Sequence, residues 1–331
     1  MEAIRTAVIG VGAFGRNHAR VYHQLEQQGE AVQLAGVVDA DLERAQRVAS
    51  EFGARAFASV EQLLAEEKVD AASVAVPTMH HLATATALME AGVDVLIEKP
   101  LAASLAQADE LIQVAGRHGR VAQVGHLERF NPAVRATLPL ITRPMFFEVH
   151  RLSVFTPRSL DVDVVLDLMI HDLDIVLKFV TSPVKEIRAV GLPILSPKTD
   201  IANVRLEFES GCVANLTASR VSTELVRKLR FFQPRQYVSI DYQRQDVMVF
   251  SVGDKLEGAP SVNPQIGMFK PPIVAEEPLH AELKSFLDAV RRRAQPEVPL
   301  QDGRRALALG LEIVAEIEAH TRHIASNLAG S

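Results

Sequence analysis

The sequence predicts an α/β protein in two parts: an N-terminal parallel sheet flanked by helices, and a C-terminal α+β domain with a mainly antiparallel open sheet. Three observations carry this expectation. Short apolar runs alternate with amphipathic helical stretches over the first 124 residues, the pattern of βαβ units with right-handed crossovers. A glycine turn, Gly10 to Gly15, joins the first strand to the first helix. Beyond about residue 125 the alternation gives way to long strand-like runs and one strong helix, as an antiparallel sheet requires.

The elements follow in order. Residues 4 to 9 read as a buried strand, 15 to 27 as a helix with apolar positions three and four apart, 33 to 38 as a strand ending at Asp39, and 41 to 52 and 59 to 67 as helices. A strand over 70 to 76 stops at Pro77, a helix covers 80 to 91, and the strand 93 to 97 runs into Glu98-Lys99-Pro100. A helix over 104 to 118 and a strand over 120 to 124 complete the first part. In the second part, Pro144 to Phe155, Glu186 to Leu192, Asn203 to Phe208, Cys212 to Arg220 and Tyr237 to Val252 are strand-like, and 162 to 180 is a helix. Segment 257 to 278 reads as irregular, and amphipathic helices cover 278 to 293 and 303 to 322. The expected domains are 1–124 for a dinucleotide and 125–331 for substrate and oligomerisation, with the terminal helices able to pack back on the first.

With 331 residues, 48% hydrophobic and 23% charged, the chain is long enough for two cores and too apolar for disorder. A net charge of −6 supplies no field for a phosphate backbone, so nucleic acid is not an expected partner. One cysteine, Cys212, cannot form an intrachain disulfide or a cysteine-based metal site, and no metal is expected. Neither a secretory signal nor an apolar stretch of the roughly 20 residues needed to span a membrane is recognisable. Cytoplasm is the expected compartment.

In Gly10-Val11-Gly12-Ala13-Phe14-Gly15 each glycine has a mechanical use. Gly10 permits a tight turn, Gly12 lets a pyrophosphate approach the backbone, and Gly15 lets the helix pack on the strand, with Ala13 and Phe14 beside the same phosphates. Such a triplet also serves as a plain strand-to-helix turn. Asp39, 24 residues after Gly15 at the end of the second strand, adds a carboxylate for the ribose hydroxyls. It would repel a 2′-phosphate, and Ala40-Asp41 bring another carboxylate rather than a cation, so NAD is expected over NADP. This first part is therefore read as a Rossmann domain.

Lys99 sits past the carboxyl end of a parallel strand, where open α/β sheets bind ligands. Pro100 restricts the backbone around it, and a partly desolvated lysine beside a nicotinamide can act as an acid/base. Helical spacing also places Asp167 and His171 on one face, four residues apart, so both can meet one substrate hydroxyl. A histidine at such a place is commonly a hydrogen-bonded core residue, and Asp172 and Asp174 read as caps or solvated groups.

Taken in order, these pieces resemble the Gfo/Idh/MocA oxidoreductases. The matching segments are the glycine turn continued to His18, Pro77-Thr78-Met79-His80-His81, Glu98-Lys99-Pro100, Gly125 to Pro132 with Arg129-Phe130-Asn131-Pro132, and the Asp167 and His171 pair. The resemblance implies that Lys99 and His171 are catalytic, that Asp167 polarises the same region, and that Pro77, His81, Glu98 and Arg129 line the cofactor cleft. Many members have a glycine-rich stretch before the aspartate, where this chain has Asp161-Val162-Asp163-Val164-Val165. That variant, with His126 to Pro132 and Asp200-Ile201-Ala202-Asn203, looks most like a branch acting on nucleotide-activated amino sugars. What the branch implies is oxidation of UDP-N-acetylglucosamine to its 3-keto form, a step toward lipid A.

A diphosphate would need cations, and Arg151, Arg158, Arg220, Arg227, Lys228 and Arg230 are the candidates, Arg158 foremost as a substrate ligand. Two other functions fit the same residues: dehydrogenation of a free sugar or polyol such as inositol, and a catalytically silent sensor of dinucleotide or sugar. Keeping Lys99, Asp167 and His171 together argues for the enzyme. An exposed face of the second sheet would suit a homo-oligomer, a dimer or a tetramer.

Overall fold

The computed structural model describes residues 2–156, 162–253 and 266–329. They form two compact units, Met1–Phe130 with Glu276–Leu307, and Asn131–Ala275 with Ala308–Ser331.

The first unit holds the parallel sheet. Strands β1 (Ile4–Ile9), β2 (Val32–Val38), β3 (Arg55–Phe57), β4 (Ala71–Val74), β5 (Asp94–Glu98) and β6 (Ala122–Gly125) lie in the order β3-β2-β1-β4-β5-β6. The chain steps outward from β1 in both directions, so the strand order reverses between β1 and β4, where such sheets bind ligands at their carboxyl ends. Helices α1 (Ala13–Gln27), α2 (Leu42–Phe52), α3 (Val60–Glu66), α4 (His81–Glu90) and α5 (Leu105–His118) connect the strands. Asp41, Ser59 and Ser104 cap α2, α3 and α5 by accepting backbone N–H bonds, each such cap being worth about 1 kcal/mol. Strand β3 was not foreseen in the sequence, because three residues are too few for a period to show.

The second unit begins with α6 (Pro132–Thr137) and holds an eight-stranded sheet. Its strands are β7 (Phe146–Val154), β8 (Val184–Leu192), β9 (Ile201–Phe208), β10 (Val213–Ser222), β11 (Val226–Gln233), β12 (Gln236–Asp241), β13 (Asp246–Val252) and β14 (Ile266–Phe269), in the order β14-β13-β12-β11-β7-β10-β9-β8. Within this sheet only β7 and β10 pair in parallel among the described strands. Phe147, Val149, Val204, Leu206, Leu229 and Phe231 pack beneath α7 (Ile170–Phe179) in one apolar core.

Four sequence expectations need correction here. Residues 162 to 180 are not one regular helix: a π-helical turn, Val165–Met169, precedes α7. Periodicity counting assumes 3.6 residues per turn and cannot see an inserted residue. Strand β11 was overlooked because Arg227, Lys228 and Arg230 hide its alternation of buried Leu229 and Phe231. The run 237 to 252 is a hairpin, β12 and β13, whose turn carries no glycine and is closed by Asp241 accepting the Arg244 N–H at 3.0 Å. Within 257 to 278, read as irregular, residues 266–269 form β14 and pair with β13.

The last two helices are α8 (Pro278–Arg292), which packs on α1 within the first unit, and α9 (Leu300–Ala329). Glu282 of α8 is fully buried, and neither of its carboxyl oxygens meets a hydrogen-bond partner among the described residues. Burial first, and then the charges of Glu98 and Glu297, push its pKa well above the ordinary 4.5. The folded chain therefore keeps a proton there that the unfolded chain releases, and the associated stability is full below 4.5 and lost as pH climbs toward the folded value. Glu282→Gln should flatten that decline and raise the melting temperature above wild type at pH 8, with no gain at pH 4. Equal pH slopes in both proteins, by calorimetry, would refute this.

Candidate active site

At the carboxyl end of the parallel sheet the glycine turn is built by close packing. Gly10 has φ +85°, and a Cβ on it would stand 2.8 Å from the Ala75 carbonyl oxygen. A Cβ on Gly15 would collide with the Gly10 carbonyl oxygen at 1.8 Å. Gly12 is different, since a Cβ there would meet nothing within 4 Å. It is also the N-cap of α1, and no side chain caps that helix. An uncapped helix terminus beside such space fits a pyrophosphate. Phe14, next in the turn, is 42% exposed.

Asp39 closes the neighbouring strand end. One of its oxygens accepts the Val11 N–H at 2.9 Å and the other the Asp41 N–H at 2.9 Å, which fixes the carboxylate against the glycine turn. Arg44 of α2 donates to it at 3.2 Å and to Asp41 at 3.1 Å. The sequence reading found no cation beside Asp39 and missed Arg44, because five residues separate the two and only the helix turn returns the guanidinium. Two carboxylates face this single cation, so a 2′-phosphate still meets net negative charge. Calorimetric titration is expected to give NAD about tenfold or more tighter binding than NADP, and equal affinities would sink the Asp39 argument.

The strand end bearing Lys99 is held from behind. Glu98 accepts from His18 Nε2 at 3.0 Å and, more weakly, from the Lys99 backbone N–H at 3.3 Å. Because a carboxylate only accepts, His18 Nε2 is the donor to Glu98, and its Nδ1 lies 3.0 Å from the Ser73 hydroxyl. Tyr22 OH completes the line at 2.9 Å from Ser73 Oγ. Gly125 makes room for it, since a Cβ there would lie 2.6 Å from Glu98 Oε1.

His81 is a brace of the same kind. Its Nδ1 lies 3.1 Å from the Pro100 carbonyl oxygen and its Nε2 3.0 Å from that of Val76, tying the segment before Pro77 to the segment after Lys99. Burial lowers its pKa even though these carbonyls favour the charged form. Arg129 is 4% exposed and pairs with Asp302 at 3.3 Å. Thus Gly10, Gly12, Ala13, Phe14, Gly15, Asp39, Pro77, Glu98 and Lys99 gather at the strand ends, His81 braces two of these segments, and Arg129 is buried.

In the second unit, Asp167 lies in the π turn and His171 in the first turn of α7, both half-buried. The N–H groups of Leu166 and Asp167 both reach the Asp163 carbonyl oxygen, at 3.1 and 3.0 Å. Asp172 and Asp174, expected as caps or solvated groups, are instead buried. Asp172 accepts from Arg151 Nε at 2.6 Å and from its second nitrogen at 2.9 Å. Of the cations proposed for a diphosphate, Arg151, Arg220, Lys228 and Arg230 all face carboxylates, those of Asp172, Asp200, Asp241 and Glu148. Arg158 and Asp161 lie outside the described residues.

Residues 4–126 match the model of an oxidoreductase family with an NAD-binding Rossmann fold, and residues 142–232 match the GFO/IDH/MocA C-terminal domain. The chain is 39% identical over 321 residues to the UDP-N-acetylglucosamine 3-dehydrogenase of Acidithiobacillus ferrooxidans, covering 96% of this chain and 99% of that one. A solved structure of that enzyme superposes with a TM-score of 0.87 over the same shares of both chains. Inositol 2-dehydrogenase of Acidothermus cellulolyticus is 31% identical over 57% of each chain. Levoglucosan dehydrogenase in complex with NADH and levoglucosan shares the fold at a TM-score of 0.84 and 16% identity, covering 96% of this chain and 98% of that one.

Proposed function

We propose that this chain, which belongs to the Gfo/Idh/MocA oxidoreductase family, oxidises a ring hydroxyl of a nucleotide sugar, converting UDP-N-acetylglucosamine to its 3-keto form. The observation that carries the reading is the near end-to-end sequence match, at 39% identity, to a dehydrogenase of that substrate, against a partial sequence match to an inositol dehydrogenase. Amino-sugar supply for lipid A, in the cytoplasm, is the role that goes with it.

The glycine turn and the uncapped end of α1 would hold the pyrophosphate of NAD, with Asp39 on the adenosine ribose, and the cofactor would supply the hydride acceptor when bound. Lys99 takes the proton of the reacting hydroxyl, and Glu98 and His18 hold the backbone from which it projects. His171 hydrogen-bonds the sugar, and Asp167 orients the same region. Arg151, Arg220, Lys228 and Arg230 already face carboxylates, so the uridine diphosphate is assigned to the other two candidates, Arg158 and Arg227.

A second copy of the chain is proposed for the open face of the sheet. Phe146, Phe232, Tyr237, Phe250 and Met268 stand directly opposite one another on β7, β11, β12, β13 and β14. Their rings follow at 5.7, 4.8 and 5.5 Å, and Met268 is 63% exposed. A continuous apolar row of this kind is costly in water and suits a symmetric partner.

Incubation with NAD and a panel of UDP-sugars, free hexoses and inositols tests the reading. NADH should form with UDP-N-acetylglucosamine and not with free N-acetylglucosamine, because binding energy from the remote nucleotide positions the ring. An aminotransferase added to remove the keto product should increase the yield. If inositol or a free hexose reacts as well as any UDP-sugar, the chain is a polyol dehydrogenase; if none reacts, a sensor.

A further inference from the structure

The segment that carries Asp167 and His171 is not held only by its own helix. Asp200, fully buried at the head of β9, accepts the N–H groups of Ile194, Leu195 and Ser196 at 2.8, 2.6 and 2.9 Å and the Ser196 hydroxyl at 2.7 Å. Its carbonyl oxygen accepts the Arg220 N–H at 3.0 Å. Burial alone would raise the carboxyl's pKa, but the Ser196 hydroxyl and these N–H groups outweigh it and hold the value at about 2. The carboxylate thus fixes residues 194–196 as one rigid loop.

That loop is tied to the start of the π turn at two points. Thr199 donates its N–H to Asp163 Oδ1 at 3.0 Å, and its carbonyl accepts the Val164 N–H at 3.0 Å. A third tie comes from Arg220, which is 5% exposed, lies 3.8 Å from Asp200 and donates to the Val162 carbonyl oxygen. Asp163 in turn receives the Asp167 N–H. A π turn has weaker backbone geometry than an α-helix and gains from outside support. Gly310 of α9 accepts the turn closely from the other side, where a Cβ would stand 2.8 Å from Leu166 Cδ2.

We infer that Asp200 and Arg220 are positioning residues for the π turn, latching the 194–199 loop to residues 162–164 so that Asp167 and His171 are presented in one fixed arrangement. The functional half of this inference rests on the proposed assignment of Asp167 and His171 to the sugar; the latch itself does not.

Hydrogen exchange read by mass spectrometry on the whole free protein tests the latch without any substrate. In Asp200→Asn, which loses the charge that gathers three N–H groups, peptides within 162–172 should exchange about tenfold or more faster, with β10 and the part of α7 beyond Asp172 unchanged. Asp163→Ala, which removes only the tie to Thr199, should show the same local rise and serves if Asp200→Asn folds poorly. Arg220→Lys, keeping the charge, should lie between wild type and Asp200→Asn. With UDP-N-acetylglucosamine and NAD, Asp200→Asn should raise KM and lower kcat, each by about tenfold, while NAD affinity stays within twofold. Unchanged exchange at 162–172, or a rise spread evenly over the sheet, overturns the latch. Wild type that oxidises no UDP-sugar would refute the proposed function and leave the exchange result to decide the latch alone.

Discussion

Lys99→Ala is expected to lower turnover of UDP-N-acetylglucosamine roughly 100-fold or more, the usual scale for loss of a positioned acid/base, with NAD affinity within a few-fold of wild type. The separation follows from where the binding energy comes from. In the proposed arrangement the pyrophosphate is assigned to the glycine turn and the end of α1, and the ribose to Asp39, rather than to the Lys99 ammonium. The supporting line of Tyr22, Ser73, His18 and Glu98 reaches the Lys99 backbone N–H through Glu98, and truncating the side chain leaves that bond in place. Stopped-flow formation of NADH and calorimetry of NAD binding are the paired measurements. Turnover within threefold of wild type would remove Lys99 from the chemistry, whereas a parallel loss of NAD binding would mark it as a cofactor ligand. Lys99→Arg keeps the positive charge but not a group that gives up its proton, so it should not rescue the rate.

Much of the first unit was legible because a parallel sheet buried on both faces writes each strand as a short apolar run between punctuating turns. The glycine turn was legible for a similar reason, as each glycine answers a steric demand that the structure shows as a Cβ collision or an open approach. The second unit was harder to read. Its charged residues were taken as ligands for a diphosphate, and most proved to be ion-paired across the sheet or onto α7. Nothing in one sequence says that Arg230 on β11 opposes Glu148 on β7, since that depends on register. Arg44 was missed for a smaller reason: its contact with Asp39 depends on the first turn of α2, and only strand-end neighbours had been considered. The π turn was invisible because Asp167 and His171 stay near one another whether one turn holds 3.6 residues or somewhat more.

Arg151 was read from the sequence as a diphosphate ligand and Asp172 as a cap, and their pairing leads to the largest stability effect expected in the chain. Both are nearly inaccessible, at 3% and 1% exposure, and they meet through two hydrogen bonds, with the guanidinium also 5.2 Å from the Tyr242 ring centroid. A buried pair owes its net value to a balance between lost hydration and mutual attraction, so removing one partner leaves the whole desolvation cost of the other uncompensated. Asp172→Ala should therefore destabilise the fold by about 3–5 kcal/mol, measured by chemical denaturation at neutral pH. Arg151→Met combined with Asp172→Leu should recover most of that loss, because neither charge of the pair is then left buried without the other and the volume is filled. A ligand role for Arg151 makes a different forecast: the single Arg151→Met variant would keep its stability and lose affinity for UDP. The denaturation midpoints of the two single variants and the double variant decide between these, and single variants as stable as wild type would show the pair to be solvated in solution.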